Sequence, residues 1–254
     1  MEIIINLMDS FTVSALKYRP QKFEEVVGQF HVTSTLINAI KNNQLAQALL
    51  FCGPRGVGKT SCARILAKQI NESDNSTLDE NFSYNIFELD AASNNSVEDI
   101  RKLNEQIRIP PQIGKFKVYI IDEVHMLSLS AFNAFLKTLE EPPKHVIFIL
   151  ATTEKNKIIP TILSRCQIYD FKRITVSEIK ESLVNICKLK KLNYENDALI
   201  LISQKADGSM RDALSIFDRM VSFTSGIISL TEVSKNLNIL NHESFFNICY
   251  LIKE

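Results

Sequence analysis

The chain has 254 residues, with 29 Lys and Arg against 29 Asp and Glu, so its formal net charge is zero. Hydrophobic residues make up 45% of it and charged residues 23%, which excludes a disordered chain, and only 7 Gly and 7 Pro exclude a collagen-like one. A neutral chain can contact nucleic acid only through a local basic patch. The longest tight apolar run, 146–151, is far shorter than a membrane span, and the N-terminus has no basic signal region. We therefore expect a cytoplasmic protein.

Short apolar runs alternate with amphipathic segments over the first two thirds of the chain. The polar stretch 72–84 separates two of these elements and is predicted to be a loop. Alternating strands and helices predict a parallel sheet flanked by helices. The predicted strands are 48–52, 86–90, 118–122, 146–153 and 167–171, and the predicted helices are 31–43, 59–71, 96–109 and 130–141.

The pattern changes after residue 172. From there on only helical periodicity is found, at 177–191, 196–206, 209–223 and 231–239, and no strand is predicted. We expect an α/β domain over 1–172 followed by a small all-helical domain over 173–241. The 5 cysteines are scattered and form no CxxC pair, so neither a disulfide framework nor a zinc site is indicated.

The segment GPRGVGKT at 53–60 fits the pattern G-x-x-x-x-G-K-[ST], between a predicted buried strand and an amphipathic helix. Backbone N–H groups of such a loop, and the N-terminal end of the next helix, bind phosphate oxygens. We expect Lys59 to reach the terminal phosphates and the Thr60 hydroxyl to ligate Mg²⁺. The alternative is a glycine-rich turn without a ligand. The predicted nucleotide contacts are Gly53, Pro54, Arg55, Gly56, Val57, Gly58, Lys59, Thr60 and Ser61.

Two acids follow the predicted strand 118–122, at the edge where ligands of parallel sheets bind. We expect Asp122 to hold Mg²⁺ and Glu123 to accept the proton of an attacking water. The alternative is that Asp122 only caps the next helix. His125 is left unassigned, because a lone histidine is usually structural.

Thr152 and Thr153 end the next predicted strand. Their hydroxyls are candidates for orienting the water between Glu123 and the γ-phosphate, although β-branched residues are also ordinary at a strand end. Arg165 precedes the predicted strand 167–171. It is either an arginine finger that reaches the phosphate of a neighbouring subunit or an exposed, solvated side chain.

Arg211 lies in the first turn of a predicted helix capped by Ser209. A cation in the first turn is disfavoured by the helix dipole, so an anion is expected beside it. Asp212 is one candidate for that anion and a bound phosphate is the other.

Eight segments together carry a resemblance to a known family. They occur in the order KYRP (17–20), VVGQ (26–29), GPRGVGKT (53–60), KVYIIDEVHML (117–127), NAFLKTLEEPP (133–143), ATT (151–153), SRC (164–166) and GSMRDALS (208–215). Over about residues 14–240 the chain resembles the tau/gamma family of the bacterial DNA polymerase III clamp loader.

This resemblance implies an AAA+ P-loop NTPase module with a helical lid domain, which uses ATP and Mg²⁺ in DNA replication. It implies the other subunits of a hetero-pentameric ring, the sliding clamp and primer–template DNA as partners, and no polymerase active site in this chain. It also implies that Thr152 or Thr153 senses the water side, that Arg165 acts in trans and that Arg211 is the lid residue touching the γ-phosphate. The adenine pocket would be lined by Tyr18, Arg19, Pro20 and Val27.

Two departures from the family pattern carry expectations of their own. Relatives have a four-cysteine zinc module where the segment 72–84 has no cysteine, so we expect no zinc. Relatives also continue into a collar domain, and we expect 242–254 to be only the start of a collar helix. Two rival functions are another AAA+ machine, such as a branch-migration motor or a protein remodeller, and a structural clamp-loader subunit without hydrolysis.

Contact with DNA is also expected. A local excess of positive charge is found on one predicted helix and after it, and it would bind the DNA backbone. The alternative is an ordinary solvated helix. The residues concerned are Arg101, Lys102, Arg108, Lys115 and Lys117.

Overall fold

The computed structural model of the chain describes residues 12–71, 85–112, 114–224 and 227–237. The loop predicted at 72–84 and the collar helix predicted at 242–254 lie outside the described residues. By the contacts between its residues, the chain divides into two compact units. One unit comprises residues 20–173, and the other comprises residues 1–19 together with 174–254.

The larger unit is built on a five-stranded sheet whose neighbouring strands are all parallel. The strand order is β2-β3-β4-β1-β5, so β1 and β4 lie in the interior of the sheet. Every residue of β1 and β4 is buried, as their unbroken apolar sequences predict. The strands are β1 Ala48–Cys52, β2 Ile86–Asp90, β3 Lys117–Asp122, β4 Val146–Thr152 and β5 Gln167–Asp170.

The helices follow the predicted order. A capping box between Ser96 and Asp99 begins the helix predicted at 96–109. Short 3-10 turns are found at Phe23–Glu25, Val124–Met126 and Lys155–Lys157. The α-helices are α1 Ser14–Lys17, α2 Phe30–Lys41, α3 Lys59–Gln69, α4 Val97–Ile107, α5 Leu129–Glu140, α6 Pro160–Leu163, α7 Val176–Lys190, α8 Asn196–Lys205, α9 Met210–Phe223 and α10 Leu230–Asn236.

Apolar side chains cover both faces of the sheet. On one face Leu50 and Phe148 pack with α4, α5 and α6, and the ring of Phe135 meets Phe148 edge-on at a centroid distance of 5.2 Å. On the other face Leu49 and Phe51 pack with α2 and α3. Because both faces are covered, a ligand has access to this sheet at the ends of its strands. The predicted α/β fold with a parallel sheet between helices is confirmed.

The smaller unit contains α7 to α10 and α1. It also contains a parallel pair of two-residue strands, β6 Asn193–Tyr194 and β7 Ile227–Ile228. The prediction of no strand after residue 172 is therefore wrong in this detail. A pairing of two residues is too short to produce an alternating pattern in the sequence.

Helix α1 is tied to the smaller unit by a buried polar cluster. The backbone N–H and the hydroxyl of Ser14 donate to the Asp218 carboxylate at 2.6 Å and 2.5 Å. Lys190 Nζ donates to the Ser14 hydroxyl at 3.0 Å and lies 5.6 Å from the ring centroids of both Tyr18 and Phe217. These contacts group α1 with the helices of the smaller unit.

No helix in the described ranges has the length and apolar character that a membrane crossing requires.

Candidate functional site

The glycine-rich loop connects β1 to α3 at the carboxyl end of the sheet. Gly53 has φ 149°, and a Cβ on it would lie 2.8 Å from Phe171 Cβ, so no other residue fits there. Gly58 is the N-cap residue of α3 and has φ 106°. These two glycines let the backbone turn sharply from a buried strand into a helix, which is the geometry that the phosphate-binding pattern requires.

Lys59 is the first residue of α3 and is only 6% exposed. Its Nζ donates to the backbone oxygens of Gly53 at 2.7 Å and of Pro54 at 2.8 Å. A nearly buried ammonium group is therefore held over the loop by the loop's own carbonyls. A negatively charged ligand in the loop would meet a positive charge that is already positioned.

Thr60 and Asp122 meet across the gap between α3 and β3. The Thr60 hydroxyl donates to Asp122 Oδ2 at 2.8 Å. Hydroxyl and carboxylate oxygens are the ligand type that Mg²⁺ prefers, and two adjacent ligands at the usual bond length lie about 2.9 Å apart. The pair fits magnesium in both chemistry and spacing. Asp122 does not cap the turn that follows, because the N-cap position of Val124–Met126 is Glu123.

Glu123 has a left-handed backbone, with φ 47° and ψ 43°, which is uncommon for a residue other than glycine. Its N–H donates to Asp122 Oδ1 at 2.9 Å. Its Oε2 accepts hydrogen bonds from the Thr153 hydroxyl at 2.9 Å and from the Thr153 N–H at 3.3 Å. This turn therefore aims the Glu123 carboxylate at the end of β4, where Thr153 holds it.

The two predicted threonines have different partners. Thr152 is completely buried, accepts a hydrogen bond from the N–H of Glu154 at 3.0 Å, and lies 3.0 Å from His125 Nδ1. Thr153 instead contacts Glu123, as described above. The expectation that one of them orients a water stays a prediction, and the geometry gives Thr153 the direct contact with the predicted base.

His125, for which no role was predicted, belongs to the site. Its side chain is 6% exposed, with Nδ1 3.4 Å from Glu123 Oε2 and Nε2 3.4 Å from Glu154 Oε1. Its contacts with Thr152 and Glu154 come from residues 27 and 29 positions further along the chain, so no local spacing identifies it. The only signal in the sequence is its position three residues after Asp122.

Arg165 lies just after α6 on the surface of the larger unit. Its Nη2 is 2.6 Å from Glu140 Oε1, and its Nη1 donates to the backbone oxygen of Thr161 at 2.7 Å. The side chain is 32% exposed. Arg165 is therefore an exposed arginine that is paired on its own chain, and its action in trans stays a prediction.

The predicted adenine-pocket residues are divided between the two units. Pro20 and Val27 belong to the larger unit and are half-buried. Tyr18 and Arg19 belong to the smaller unit and are also half-buried. Their shared role stays a prediction.

Arg211 is the second residue of α9 in the smaller unit and is exposed. The Ser209 hydroxyl caps this helix by accepting a hydrogen bond from the N–H of Asp212 at 3.2 Å. Within the described residues, no ion pair joins Arg211 to Asp212. Asp212 is the acidic residue of the same first turn, and the choice between it and a bound phosphate as the compensating anion stays a prediction.

The predicted DNA-binding patch is partly compensated. Arg101 Nη1 lies 2.8 Å from Glu98 Oε1 on the exposed face of α4, and Lys117 lies over the ring of Phe87. Lys102, Arg108 and Lys115 are exposed. Zinc also remains a matter of prediction, because the cysteine-free segment 72–84 lies outside the described residues.

The chain is similar to known proteins in both sequence and structure. Residues 28–175 match the family model described as DNA polymerase III, delta subunit, and residues 178–226 match the model of the DNA polymerase III clamp loader subunit, ATPase lid domain. The Thermotoga maritima RuvB Holliday junction branch migration motor has a similar fold, with a TM-score of 0.68 at 23% identity, covering 88% of this chain and 73% of that one.

Three curated relatives are similar over most of this chain. The tau subunit of DNA polymerase III from Bacillus subtilis is 49% identical, and the match covers 85% of this chain and 40% of the relative. The tau subunit from Escherichia coli is 43% identical, and the match covers 94% of this chain and 39% of the relative. The gamma subunit from Buchnera aphidicola subsp. Baizongia pistaciae is 42% identical, covering 94% and 68%. The chain thus spans about 40% of the length of the tau relatives. It belongs to the tau/gamma family of DNA polymerase III subunits, the AAA+ ATPases of the bacterial clamp loader.

Proposed function

We propose that this chain binds ATP with Mg²⁺ in the loop between β1 and α3 and hydrolyses it. The observation that carries the proposal is the convergence of an ammonium, a hydroxyl and two adjacent carboxylates at one edge of the sheet. Lys59 is held over the loop, Thr60 and Asp122 are joined at 2.8 Å, and Glu123 follows directly. Parallel sheets bind nucleotides at this edge.

The residues of the site divide the chemistry between them. The backbone of Gly53–Ser61 and Lys59 would hold the phosphates, and Thr60 with Asp122 would hold Mg²⁺, which supplies neutralising charge when bound. As a water oxygen attacks the γ-phosphorus and the bond to the β-phosphate oxygen breaks, Glu123 accepts the proton of the water. Thr153 keeps the Glu123 carboxylate in place through its hydroxyl at 2.9 Å.

Two arginines outside the loop, and the residues around the adenine, also have proposed roles. Arg165 acts in trans, on nucleotide held by the neighbouring subunit, and Arg211 senses the γ-phosphate from the lid. The proposed domains are the nucleotide-binding domain over 1–172 and the lid over 173–241, with Tyr18, Arg19, Pro20 and Val27 around the adenine. Charge on the γ-phosphate draws Arg211 inward and turns the lid. Within the described residues, no ion pair to Asp212 occupies the guanidinium of Arg211, and this supports the proposed role.

Membership of the tau/gamma family supports the larger assembly. The chain would act with the other subunits of a hetero-pentameric ring to load the sliding clamp onto primed DNA, in the cytoplasm, with contacts to the DNA backbone and without a polymerase active site or zinc. The rival function of a branch-migration motor gains no support from the RuvB likeness, because 23% identity carries the fold alone. A structural subunit without hydrolysis is opposed by the intact Lys59, Thr60, Asp122 and Glu123.

The test is the ATPase rate of the chain assembled with the other clamp-loader subunits of its host. We expect the rate to rise when sliding clamp and primed DNA are added together, and to fall to background when the assembly contains Lys59→Ala. Stimulation by Holliday junctions or by unfolded protein instead would contradict clamp loading. Binding of ATP without any hydrolysis would contradict the enzymatic role.

A further inference from the structure

The buried histidine beside the predicted base has no role in the proposal above. His125 lies in the 3-10 turn Val124–Met126, directly after the left-handed Glu123. Its side chain is 6% exposed, whereas His31 in the same unit is exposed. A polar ring that is this deeply buried requires polar partners, because an unsatisfied polar group in the interior is unfavourable.

Both ring nitrogens of His125 face specific partners. Nδ1 lies 3.0 Å from the Thr152 hydroxyl and 3.4 Å from Glu123 Oε2, whereas Nε2 lies 3.4 Å from Glu154 Oε1. The Thr152 contact has the length of a normal hydrogen bond, and the two carboxylate contacts are longer. The ring is therefore anchored at its Nδ1 edge, on the strand end that also carries Thr153.

The anchored ring is one of two side chains that contact the Glu123 carboxylate from the end of β4 or next to it. Glu123 Oε2 is held by Thr153 through two hydrogen bonds at 2.9 Å and 3.3 Å and touched by His125 Nδ1 at 3.4 Å. Thr152 is fixed in turn by the Glu154 N–H at 3.0 Å. The carboxylate, which is 33% exposed, is thereby contacted by the end of β4 directly through Thr153 and indirectly through the imidazole ring that Thr152 anchors.

We propose that His125 is a positioning residue: its ring, anchored on the Thr152 hydroxyl through Nδ1, packs beside Glu123 Oε2 and holds that carboxylate in its catalytic orientation. The inference rests on the proposed function, because it assigns a role toward the residue that accepts the proton of the water. A displacement of about 1 Å in a catalytic group can lower a rate about 100-fold without weakening substrate binding. His125 thus acts on the chemical step and leaves the affinity for ATP unchanged.

Two amide variants test the two ring nitrogens of His125 separately. In His125→Asn the amide occupies the position of Nδ1, so the contact to Thr152 and Glu123 is kept and the one to Glu154 is lost. In His125→Gln the amide extends to the position of Nε2, so the opposite contact is kept. Because an amide can both donate and accept, neither variant depends on the tautomer of the histidine.

The experiment measures kcat for ATP in the assembled clamp loader and, by calorimetry, the Kd for ATP of the full chain. We expect His125→Ala and His125→Gln to lower kcat about 10- to 100-fold with the Kd within about 3-fold of the parent, and His125→Asn to keep kcat within about 5-fold. The matched control is His145→Asn, which removes a half-buried histidine whose Nε2 lies 2.9 Å from the backbone oxygen of Ile107, away from the site. We expect this control to match the parent.

Stability is measured alongside, as the midpoint of urea unfolding of each variant. If Thr152 and His125 act as one unit, Thr152→Val combined with His125→Ala shifts the midpoint no further than the more damaging single change. The proposal would be overturned by additive shifts of the urea midpoint, by a kcat of His125→Ala equal to that of the parent, or by a higher kcat in His125→Gln than in His125→Asn. Failure of the parent itself to hydrolyse ATP would instead overturn the proposed function.

Discussion

The guanidinium of Arg165 is paired with a carboxylate of its own chain, with Nη2 at 2.6 Å from Oε1 of Glu140. The two side chains are 32% and 47% exposed, so solvent screens the pair. Exposed ion pairs of this kind contribute about 0.2–1 kcal/mol. Nη1 also donates to the backbone oxygen of Thr161 at 2.7 Å, so the guanidinium is held on its own chain. If Arg165 acts in trans as proposed, a phosphate of the neighbouring subunit has to displace only this weak, solvent-screened ion pair.

We predict that Glu140→Gln raises the hydrolysis rate of the assembled clamp loader by no more than about 5-fold, because it removes a weak competitor for Arg165. The free energy of unfolding is expected to fall by less than about 1 kcal/mol. The control is Glu98→Gln, which removes the exposed partner of Arg101. A rate reduced more than tenfold would show that Glu140 is needed to present the arginine.

Arg165→Ala is expected to lower the hydrolysis rate of the assembled complex about 10³- to 10⁵-fold, which is the usual contribution of an arginine finger. ATP binding to the isolated chain should be unchanged, because the finger acts on the nucleotide of the neighbour. The matched variant is Arg64→Ala, which removes a half-exposed arginine paired with Glu88. Normal hydrolysis by Arg165→Ala in the complex would exclude the trans role.

Lys59→Ala is expected to weaken ATP binding about 10- to 150-fold, the effect of losing charge-assisted hydrogen bonds to the phosphates. Calorimetric titration with magnesium and ATP measures it. Lys68→Ala, in the exposed last turn of the same helix, controls for loss of charge and should bind normally. Equal Kd values for the two variants would remove Lys59 from the phosphate site.

The sheet, its flanking helices and the loop at 53–60 could be predicted because their signals are local. The apolar runs at 48–52, 118–122 and 146–153 specify three strands, the mixed segments at 86–90 and 167–171 specify two more, and the spacing of glycines and lysine at 53–60 specifies the phosphate loop. The Ser96 capping box likewise lies within four consecutive residues. Periodicity and motif spacing are visible in a single sequence.

Contacts over long distances in the chain could not be predicted in this way. His125 meets Thr152 27 positions later, Glu140 meets Arg165 25 positions later, and Ser14 meets Asp218 204 positions later. Each depends on how two elements pack, which no local pattern encodes. For the same reason the sequence left Thr152 and Thr153 equivalent, whereas their side chains point to different partners.

Gly53→Ala is expected to destabilise the chain more than Gly58→Ala does, measured by urea unfolding without nucleotide. Both positions have positive φ, but only a Cβ at Gly53 would collide with the backbone and Cβ of Phe171. A Cβ at Gly58 meets nothing closer than Val26 Cγ1 at 3.6 Å. We expect about 1–3 kcal/mol for the backbone strain in each and a further loss for the clash in Gly53→Ala. Equal losses of unfolding free energy in the two variants would mean that Phe171 moves aside and that the expected clash is relieved.

Stability should fall in alkaline solution because of a buried thiol. Burial raises the pKa of Cys62 from 9.0 to about 12, so the folded state keeps the thiol neutral where the unfolded chain ionises. The stabilising contribution is complete below about pH 9 and is lost as the pH rises toward 12. By pH 10.5 the loss is at most about 2 kcal/mol. Urea midpoints of the parent and of Cys62→Ala measure it, and the variant should show the shallower decline between pH 8 and 10.5.

The most direct measurement is a calorimetric titration of the folded chain with ATP in the presence of magnesium. The account predicts saturable binding of one ATP per chain, weakened when magnesium is omitted, because Thr60 and Asp122 then have no ion to share. Circular dichroism on the same sample establishes that the protein is folded. Absence of any binding heat from the folded protein over a range of temperatures would contradict the assignment of the loop and its acids as a nucleotide site.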